Sequence, residues 1–370
     1  MDRPYDILYR LWHMPWALLL LLAILAGIGV GALYSVGEGW QPWALKQLVR
    51  FGVCFALLLV LAVLPIGWLH KLSVLAYILG IGLLVAVIFF GDQQMGAKRW
   101  LQFGGFNLQP SEFVKIALVM ILASYYQQMT IHELSKLRFA LVPLLLIAVP
   151  MFLVLQQPDL GTALLIAALG VSIMFVAGTS IWVFLGGGVM AAIAAPLAWF
   201  FVLHDYQRQR ILTFLDPESD RYGAGYHILQ SIIAIGSGGL TGRGFMQGTQ
   251  TQLDFLPEKH TDFIFTAIAE EWGFFGVLAI SGVVLLIVAF GIFSAMQCRS
   301  VFGRLLCYGV SINMGLYVFV NMAMISGLIP VVGVPLPLIS YGGSVMMAVL
   351  VGYGLLCACT IDRKVQLQQY

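Results

Sequence analysis

Charge is scarce in this chain. Of its 370 residues, only 10% are Asp, Glu, Lys or Arg, whereas 61% are hydrophobic. A soluble domain carries roughly 25% charged residues. Because so few charges cannot cover a folded chain of this length, the composition excludes a soluble protein and predicts one whose outer solvent is lipid.

Other shortages exclude further classes of protein. The 19 basic and 17 acidic residues nearly cancel, which excludes a binder of nucleic acid or another polyanion. None of the five cysteines lies in the long polar segment near 204–262, so a disulfide-stapled ectodomain is excluded as well. No phosphate-loop pattern and no strand–GxGxxG–helix context is present, and therefore no nucleotide-binding fold is implied.

Long apolar runs are what the chain has instead. A spanning helix needs about 20 mostly apolar residues, and runs of this kind cover residues 15–36, 48–68, 72–90, 111–128, 139–156, 162–178, 181–203, 263–294, 304–325 and 339–360. The apolar/polar alternation of a membrane barrel is absent. We therefore predict an all-α, polytopic integral membrane protein of about ten transmembrane helices. It forms one domain over residues 1–370, with a large extracytoplasmic loop at about 204–262 between helices 7 and 8.

The distribution of Lys and Arg predicts the orientation. Short loops on the side of the two termini carry more basic residues than the opposite loops, so we expect both termini to be cytoplasmic. Most acidic residues then fall on the extracytoplasmic side. Because charge in or beside a span is costly, this asymmetry predicts a polar chamber that opens outward.

Two neighbouring motifs lie beside the fourth run: GAKRW (96–100) and QPSEFVK (109–115). Glu112 and Lys115 are three residues apart on one helix face and can pair, either to fix packing or to form a charged wall of the cavity. Lys98 and Arg99 are candidates either for reaching lipid phosphates or for binding a substrate pyrophosphate.

Further polar candidates follow along the chain. Asp159 precedes a helix, where it can cap the helix or pair with a basic residue at the cavity rim. Arg208 and Arg210 begin the long loop. Arg243 lies in a Gly-rich stretch (230–250) that fits either an anion-binding nest or the tight turns of a re-entrant segment.

The densest ionisable cluster is in DFLPEKHTDFIF (254–265), just before the eighth run. It holds Glu258, Lys259, His260 and Asp262. Asp262 stands at the start of the apolar run, where burial can raise a carboxyl pKa and suit it to act as a general base on a sugar hydroxyl. The alternative is a helix cap, a role for which Thr261 competes.

Two features lie deeper in the apolar runs. Glu270 and Glu271 predict a polar lining, protonated carboxyls or a partner cation. The Pro- and Gly-rich stretch 321–344 is either a loop with tight turns or irregular backbone that lines a cavity.

Taken together, these motifs resemble the SEDS family (shape, elongation, division and sporulation), over the chain from the first run to the tenth. The loop wording is closer to members that act in rod elongation than to those of division. The resemblance implies a peptidoglycan glycosyltransferase that polymerises lipid II on the outer face of the cytoplasmic (inner) membrane. It also implies a class B penicillin-binding protein, a transpeptidase, as partner within the elongation machinery.

The resemblance also implies roles for residues. The family's essential carboxylate falls on Asp262 and its paired acid and base on Glu112 and Lys115. Asp262 would accept the proton of the acceptor hydroxyl, while Arg99, Arg208, Arg210 and Lys115 would stabilise the leaving pyrophosphate. Substrate contacts are expected as well from the remaining polar residues of the motifs: Lys98, Asp159, Arg243, Glu258, Lys259 and His260. A divalent cation (Mg or Mn) is compatible with this chemistry, but no dense carboxylate cluster marks a site for one.

Two other functions fit the residues without the resemblance. Ten spans with broken helices and intramembrane charge also describe a transporter or flippase of lipid-linked precursors. A scaffold that only recruits partners is the third class. Polymer formation from lipid II, and its loss in Asp262→Ala, would separate the enzyme from both.

Overall fold

The fold is a bundle of long helices with a small sheet at one end. The computed structural model describes residues 7–94, 97–103, 106–134, 136–201, 205–216, 224–253, 255 and 258–367. In chain order the helices are α1 (Ile7–Trp12), α2 (Trp16–Val36), α3 (Leu45–Ala62), α4 (Ile66–Phe90), α5 (Pro110–Gln127), α6 (Ile131–Leu134), α7 (Leu137–Leu155), α8 (Leu160–Val176), α9 (Ile181–Phe201), α10 (Asp205–Leu215), α11 (Ala224–Gly238), α12 (Thr249–Gln252), α13 (Ile264–Gln297), α14 (Val301–Ile325) and α15 (Gly343–Ile361).

The prediction of an all-helical membrane protein is confirmed. Each of the ten apolar runs corresponds to one long helix, although the run 48–68 extends past the end of α3 at Ala62 into the first residues of α4. In the described part of the chain, seven of these helices are long and apolar enough to cross a membrane. The other three are α5, α8 and α9. Of these, α5 carries Glu112 and Lys115, and α8 has only 17 residues.

The interior of the bundle is built around α5, α14 and α15. Nearly every residue of α5 is buried, including its polar ones, and α14 and α15 are buried along most of their length. Helix α13 packs on α14, α15 on α3, and α4 on α5. Because the central helices are enclosed by protein, they can carry polar side chains that would be costly against lipid.

The bundle has two ends, which we name after one acidic residue at each. The Asp362 end is fastened by Arg10, whose guanidinium donates to both carboxylate oxygens of Asp362 at 2.8 and 3.0 Å. Asp362 also accepts from the Ile66 backbone N–H at 2.9 Å. This buried pair ties α1, the start of α4 and the end of α15 together.

The Asp262 end carries the polar elements. A three-stranded antiparallel meander connects α4 to α5, with β1 (Asp92–Gln94), β2 (Ala97–Phe103) and β3 (Phe106–Leu108). These strands were not expected from the sequence, where GAKRW lay between two apolar runs without a strand pattern. The segment predicted as a loop, 204–262, contains the helices α10, α11 and α12.

Candidate active site

Asp262 lies in a turn, 258–263, that leads into α13. The residue at the N-cap position of α13 is Phe263, and no side chain caps this helix. The Thr261 hydroxyl instead donates to Glu258 at 2.9 Å. Neither Asp262 nor Thr261 is therefore used as a helix cap, which leaves the Asp262 carboxylate available for chemistry.

The surroundings of this carboxylate raise its proton affinity. Burial is the main cause and the nearby Glu258 charge adds to it, and together they raise the pKa of Asp262 from 3.8 to about 6. Arg210 and Arg99 act in the opposite direction. A carboxylate with a pKa near 6 is largely ionised at neutral pH yet more basic than an ordinary aspartate, as a general base requires.

The Pro- and Gly-rich stretch after α14 covers Asp262. Gly333 has a φ of +71°, and a Cβ placed on it would lie 3.3 Å from Asp262 Oδ2. A side chain at this position would therefore be strained and would crowd the carboxylate. The structure favours the interpretation of this stretch as irregular backbone lining a site.

Arg99 is held beside Asp159 by the chain that precedes α8. Its guanidinium donates to the carbonyl oxygens of Gln157, at 3.4 Å, and of Pro158, and its Nε lies 3.7 Å from Asp159 Oδ2. Asp159 also caps α8, because its carboxylate accepts from the Thr162 N–H at 3.2 Å and from the Thr162 hydroxyl at 2.9 Å. Both roles considered for Asp159 are thus observed together.

Arg99 and Arg210 line one cavity of about 360 Å³. Arg210 lies on α10 and donates to the Val331 carbonyl oxygen at 3.2 Å. The remaining lining residues are mostly apolar: Pro158, Asp159, Leu160, Gly161, Leu164, Gln207, Ile211, Ile329, Pro330, Val331 and Val332. Val331 and Val332 line this cavity, and the next residue, Gly333, lies against the Asp262 carboxylate. The cavity and the carboxylate are therefore neighbours along one short backbone segment.

Glu112 and Lys115 form the ion pair that their spacing predicts, but inside the bundle. Lys115 Nζ lies 2.8 Å from Glu112 Oε1, and both side chains are almost fully buried. The Tyr317 hydroxyl of α14 donates to Glu112 and accepts from Lys115, and Lys115 Nζ lies 4.2 Å from the centre of the Tyr317 ring. The three groups satisfy one another; direct contact of Glu112 or Lys115 with substrate stays a prediction.

Glu270 anchors the end of the Gly-rich stretch to α13, and Glu271 connects α13 to α2. Glu270 accepts from the backbone N–H groups of Gln250, at 2.9 Å, and Thr251, at 3.1 Å, and from the Thr251 hydroxyl at 2.8 Å. It thereby caps the N-terminus of α12 from another helix. Glu271 accepts from the hydroxyl of Ser35 on α2. Of the alternatives considered, the structure favours a polar lining, in which Glu270 holds backbone and Glu271 holds the Ser35 side chain.

Close approach of two backbones accounts for the glycines of this stretch. Gly242 has a φ of +81°, and a Cβ on it would overlap the Glu271 carbonyl oxygen. Gly273, at the kink of α13, has a φ of +65°, and a Cβ there would overlap the Gly242 nitrogen. The structure favours tight turns over an anion-binding nest. Arg243 is fixed in these turns by a bond of 2.8 Å to the Thr249 hydroxyl.

The neighbours of Asp262 in the cluster have separate environments. The His260 ring stacks on Trp43, with centroids 4.5 Å apart, and burial lowers the pKa of His260 below 6.5. Lys259 donates to the Thr251 carbonyl oxygen at 2.9 Å. Glu258 is exposed and lies 4.0 Å from His260. His260 therefore lies neutral beside the site at pH 7, whereas Lys259 is turned toward α12.

Two of the predicted substrate-binding residues, Lys98 and Arg208, lie apart from the cavity of Arg99 and Arg210. Lys98 is exposed on β2, and the Arg208 side chain donates to the Phe200 carbonyl oxygen of α9 at 3.1 Å. Neither lines the cavity of Arg99 and Arg210. Their contact with substrate stays a prediction.

Tyr317 and Asn321 were not singled out from the sequence. Both are buried on α14, and one turn of helix separates them. Asn321 donates from Nδ2 to the Asp262 carbonyl oxygen at 2.9 Å and to the Val334 carbonyl oxygen at 2.7 Å. The sequence signal for Asn321 was a polar amide inside an apolar run, because such a side chain in a membrane helix needs a hydrogen-bond partner.

A metal site is not apparent in the described part of the chain. No group of three or more His, Cys, Asp or Glu residues there could hold a metal ion. Among the described residues, therefore, no set of protein ligands is available for the divalent cation considered from the resemblance.

Relatives of known name match nearly the whole chain. The cell cycle protein family FTSW_RODA_SPOVE matches residues 7–365. The peptidoglycan glycosyltransferase MrdB of Escherichia coli is 42% identical over 355 residues, covering 95% of this chain and 94% of its own. The probable peptidoglycan glycosyltransferase FtsW of Trichlorobacter lovleyi is 36% identical over 361 residues, covering 94% of this chain and 93% of its own.

Solved structures share the fold. A chain from a peptidoglycan synthase complex, described for its coordination of polymerization and crosslinking, superposes with a TM-score of 0.82 at 31% identity and covers 95% of this chain and 98% of its own. The rod shape determining protein RodA of Thermus thermophilus superposes with a TM-score of 0.72 at 28% identity, covering 95% of this chain and 97% of its own. The chain therefore belongs to the FtsW, RodA and SpoVE family of cell cycle proteins.

Proposed function

We propose that this protein is a peptidoglycan glycosyltransferase that polymerises lipid II for cell-wall elongation, with Asp262 as its general base. The proposal depends on the Asp262 carboxylate, whose pKa is about 6 and which does not cap α13. This carboxylate also lies within electrostatic range of Arg99 and Arg210. Two relatives named as peptidoglycan glycosyltransferases, one of them as a probable one, are 42% and 36% identical and support the same reaction.

The reaction is a single displacement. Asp262 takes the proton of the acceptor's GlcNAc 4-hydroxyl while that oxygen forms a bond to C1 of the donor sugar. The bond from C1 to the undecaprenyl pyrophosphate oxygen breaks, and its electron pair leaves with the pyrophosphate. One displacement inverts the anomeric centre from α to β. Because pyrophosphate leaves without protonation, one carboxylate is enough and a second, as in glycosidases, is not needed.

Arg99 and Arg210 are suited to the leaving group. Both line the cavity next to Asp262, and guanidinium groups can bind phosphate oxygens with two parallel hydrogen bonds. Each is held by a backbone carbonyl oxygen, which fixes the cation before substrate arrives. The largely apolar walls of the cavity limit water, so the charge on the pyrophosphate is stabilised more strongly than in solution.

The remaining polar residues act around this centre. Asp159 orients Arg99, and His260 and Glu258 set the polarity beside Asp262. Lys98, Arg208, Arg243 and Lys259 attract the anionic substrate to the Asp262 end. Glu112 and Lys115 support this end from inside the bundle through their contact with Tyr317.

The protein acts in the cytoplasmic membrane with its Asp262 end outside. Both termini lie in the cytoplasm under this orientation, in accord with the excess of Lys and Arg in the short loops of the Asp362 end. Lipid II polymer would then form on the face where the wall is built. A class B penicillin-binding protein is the proposed partner, because a structural relative is part of a peptidoglycan synthase complex that couples polymerization to crosslinking.

The decisive experiment uses purified protein in detergent with labelled lipid II, alone and with its transpeptidase partner. We expect glycan polymer that a muramidase degrades. Liposomes containing the protein are tested in parallel for transfer of labelled lipid II between leaflets. Polymer without transfer supports the enzyme; transfer without polymer, with the partner present, establishes a flippase and overturns the proposal.

A further inference from the structure

One buried amide fixes the backbone that carries Asp262. Asn321 is fully buried on α14, and both hydrogens of its amide are donated to backbone carbonyls, of Asp262 at 2.9 Å and of Val334 at 2.7 Å. The first carbonyl belongs to the turn 258–263 and the second to the stretch that covers Asp262. Asn321 thus joins the two segments whose contact, between Gly333 and the Asp262 carboxylate, forms the site.

The position of the carboxylate depends on this backbone. In the part of the chain that the structure describes, no side chain or backbone group forms a hydrogen bond to the Asp262 carboxylate itself, and only more distant charges act on it. The turn has a second restraint, in which the Tyr341 N–H donates to the His260 carbonyl oxygen at 2.9 Å. Asn321 and Tyr341 therefore hold alternate carbonyls of one short turn.

The amide has a single suitable orientation. Its Oδ1 is buried and accepts no hydrogen bond from the described residues. Rotating the amide by half a turn would place Oδ1 against two carbonyl oxygens and leave Nδ2 without acceptors. Burying Oδ1 without a hydrogen bond costs free energy, and this cost favours a specific role for Asn321 over simple packing.

Asn321 is also connected to the buried ion pair. Tyr317 precedes it by four residues, so both side chains project from the same face of α14. Tyr317 bonds Glu112 and Lys115 on α5, and Asn321 bonds the turn 258–263. One helix face thereby relates the position of the turn to the packing of α5.

We propose that Asn321 is a positioning residue for Asp262, one that determines turnover without binding substrate. This inference rests on the proposed function, since it assigns Asn321 to the same reaction. Loss of the amide would let the turn move relative to Gly333. A displacement of about 1 Å at a general base can lower the rate about 100-fold, while the cavity that binds the pyrophosphate is unchanged.

The test compares Asn321→Ala with Asn313→Ala, which removes another buried asparagine from α14, two turns from Asn321. Asn321→Gln keeps an amide donor. We expect Asn321→Ala to lower kcat for lipid II polymerisation about 100-fold with KM changed less than about threefold. Asn321→Gln should restore part of kcat, and Asn313→Ala should keep wild-type kcat.

Hydrogen–deuterium exchange of the full-length protein in detergent provides a readout that does not depend on activity. Asn321→Ala should raise exchange in peptides covering 258–263 about tenfold, with no such rise in Asn313→Ala. If wild-type protein makes no polymer but exchange rises as expected, the proposed function fails and the role in positioning the turn stands. If Asn321→Ala keeps wild-type kcat, or if its exchange in 258–263 matches wild type, the inference is overturned.

Discussion

Breaking the buried pair of Glu112 and Lys115 should cost more than removing it entirely. In the structure Lys115 is wholly buried, and its ammonium contacts Glu112 and the Tyr317 hydroxyl. Glu112→Gln leaves that ammonium without its counter-charge, and Lys115→Met leaves the Glu112 carboxylate with only the Tyr317 hydroxyl as partner. Each single change should destabilise the fold by about 3–5 kcal/mol, the usual cost of an uncompensated buried charge.

The double variant Glu112→Gln/Lys115→Met removes both charges together. Only the Tyr317 hydroxyl then loses a partner, so the double change should cost about 2 kcal/mol or less. The coupling between the two positions would then be about 4 kcal/mol or more, well above the error expected for independent sites. Unfolding of the purified variants in detergent, followed by heat or denaturant, gives the ranking directly.

Controls come from exposed charges of the same types. Glu38→Gln and Lys364→Met alter residues on the surface and should change stability by less than about 0.5 kcal/mol. Additive effects of Glu112→Gln and Lys115→Met would refute this reasoning, because additivity would mean that the two charges are solvated separately. A double variant less stable than either single one would refute it as well.

Three further predictions concern the Asp262 end. Asp262 must be ionised to accept a proton, and its pKa is about 6. The value of kcat/KM should therefore be constant above about pH 7 and fall about tenfold per pH unit below pH 6. A kcat/KM that stays constant down to pH 5 would exclude Asp262 as the base. Gly242→Ala should lower the thermal unfolding temperature, because Gly242 has a φ of +81° and the new Cβ would overlap the Glu271 carbonyl oxygen. The control Gly236→Ala, where no atom lies within 4 Å of the added Cβ, should leave the unfolding temperature unchanged or raise it. Glu270→Ala should free the N–H groups that open α12 and speed proteolytic cleavage in 239–253, while equal cleavage rates in variant and wild type would count against the capping role.

Helix positions could be predicted from the sequence because lipid permits little else. An apolar run in hydrocarbon must satisfy its own backbone, so each of the ten runs had one available structure. Local polar spacing was equally informative: the pair of Glu112 and Lys115 and the capping of α8 by Asp159 depend on residues three positions apart. Those contacts are set by helix geometry alone.

Contacts between distant segments could not be predicted in the same way. Tyr317 meets Glu112 and Asn321 meets Asp262 only because α14 packs against α5 and the turn 258–263. The meander of β1, β2 and β3 also depends on strand pairing, which the pattern of apolar residues does not predict. The Gly-rich stretch 230–250 fitted both tight turns and an anion-binding nest in the sequence, because only the packing of the chain places Gly242 against Glu271.

Asp262 is the base of the proposed reaction, and Asp262→Asn tests this role most directly. The substitution keeps shape and removes only the ability to accept the proton. We predict that purified Asp262→Asn binds labelled lipid II as wild type does, loses polymerisation by at least about 100-fold, and unfolds at an equal or higher temperature at pH 8, since it lacks a carboxylate whose pKa the fold has raised. Polymerisation within threefold of wild type by this variant would contradict the role of Asp262 as the base.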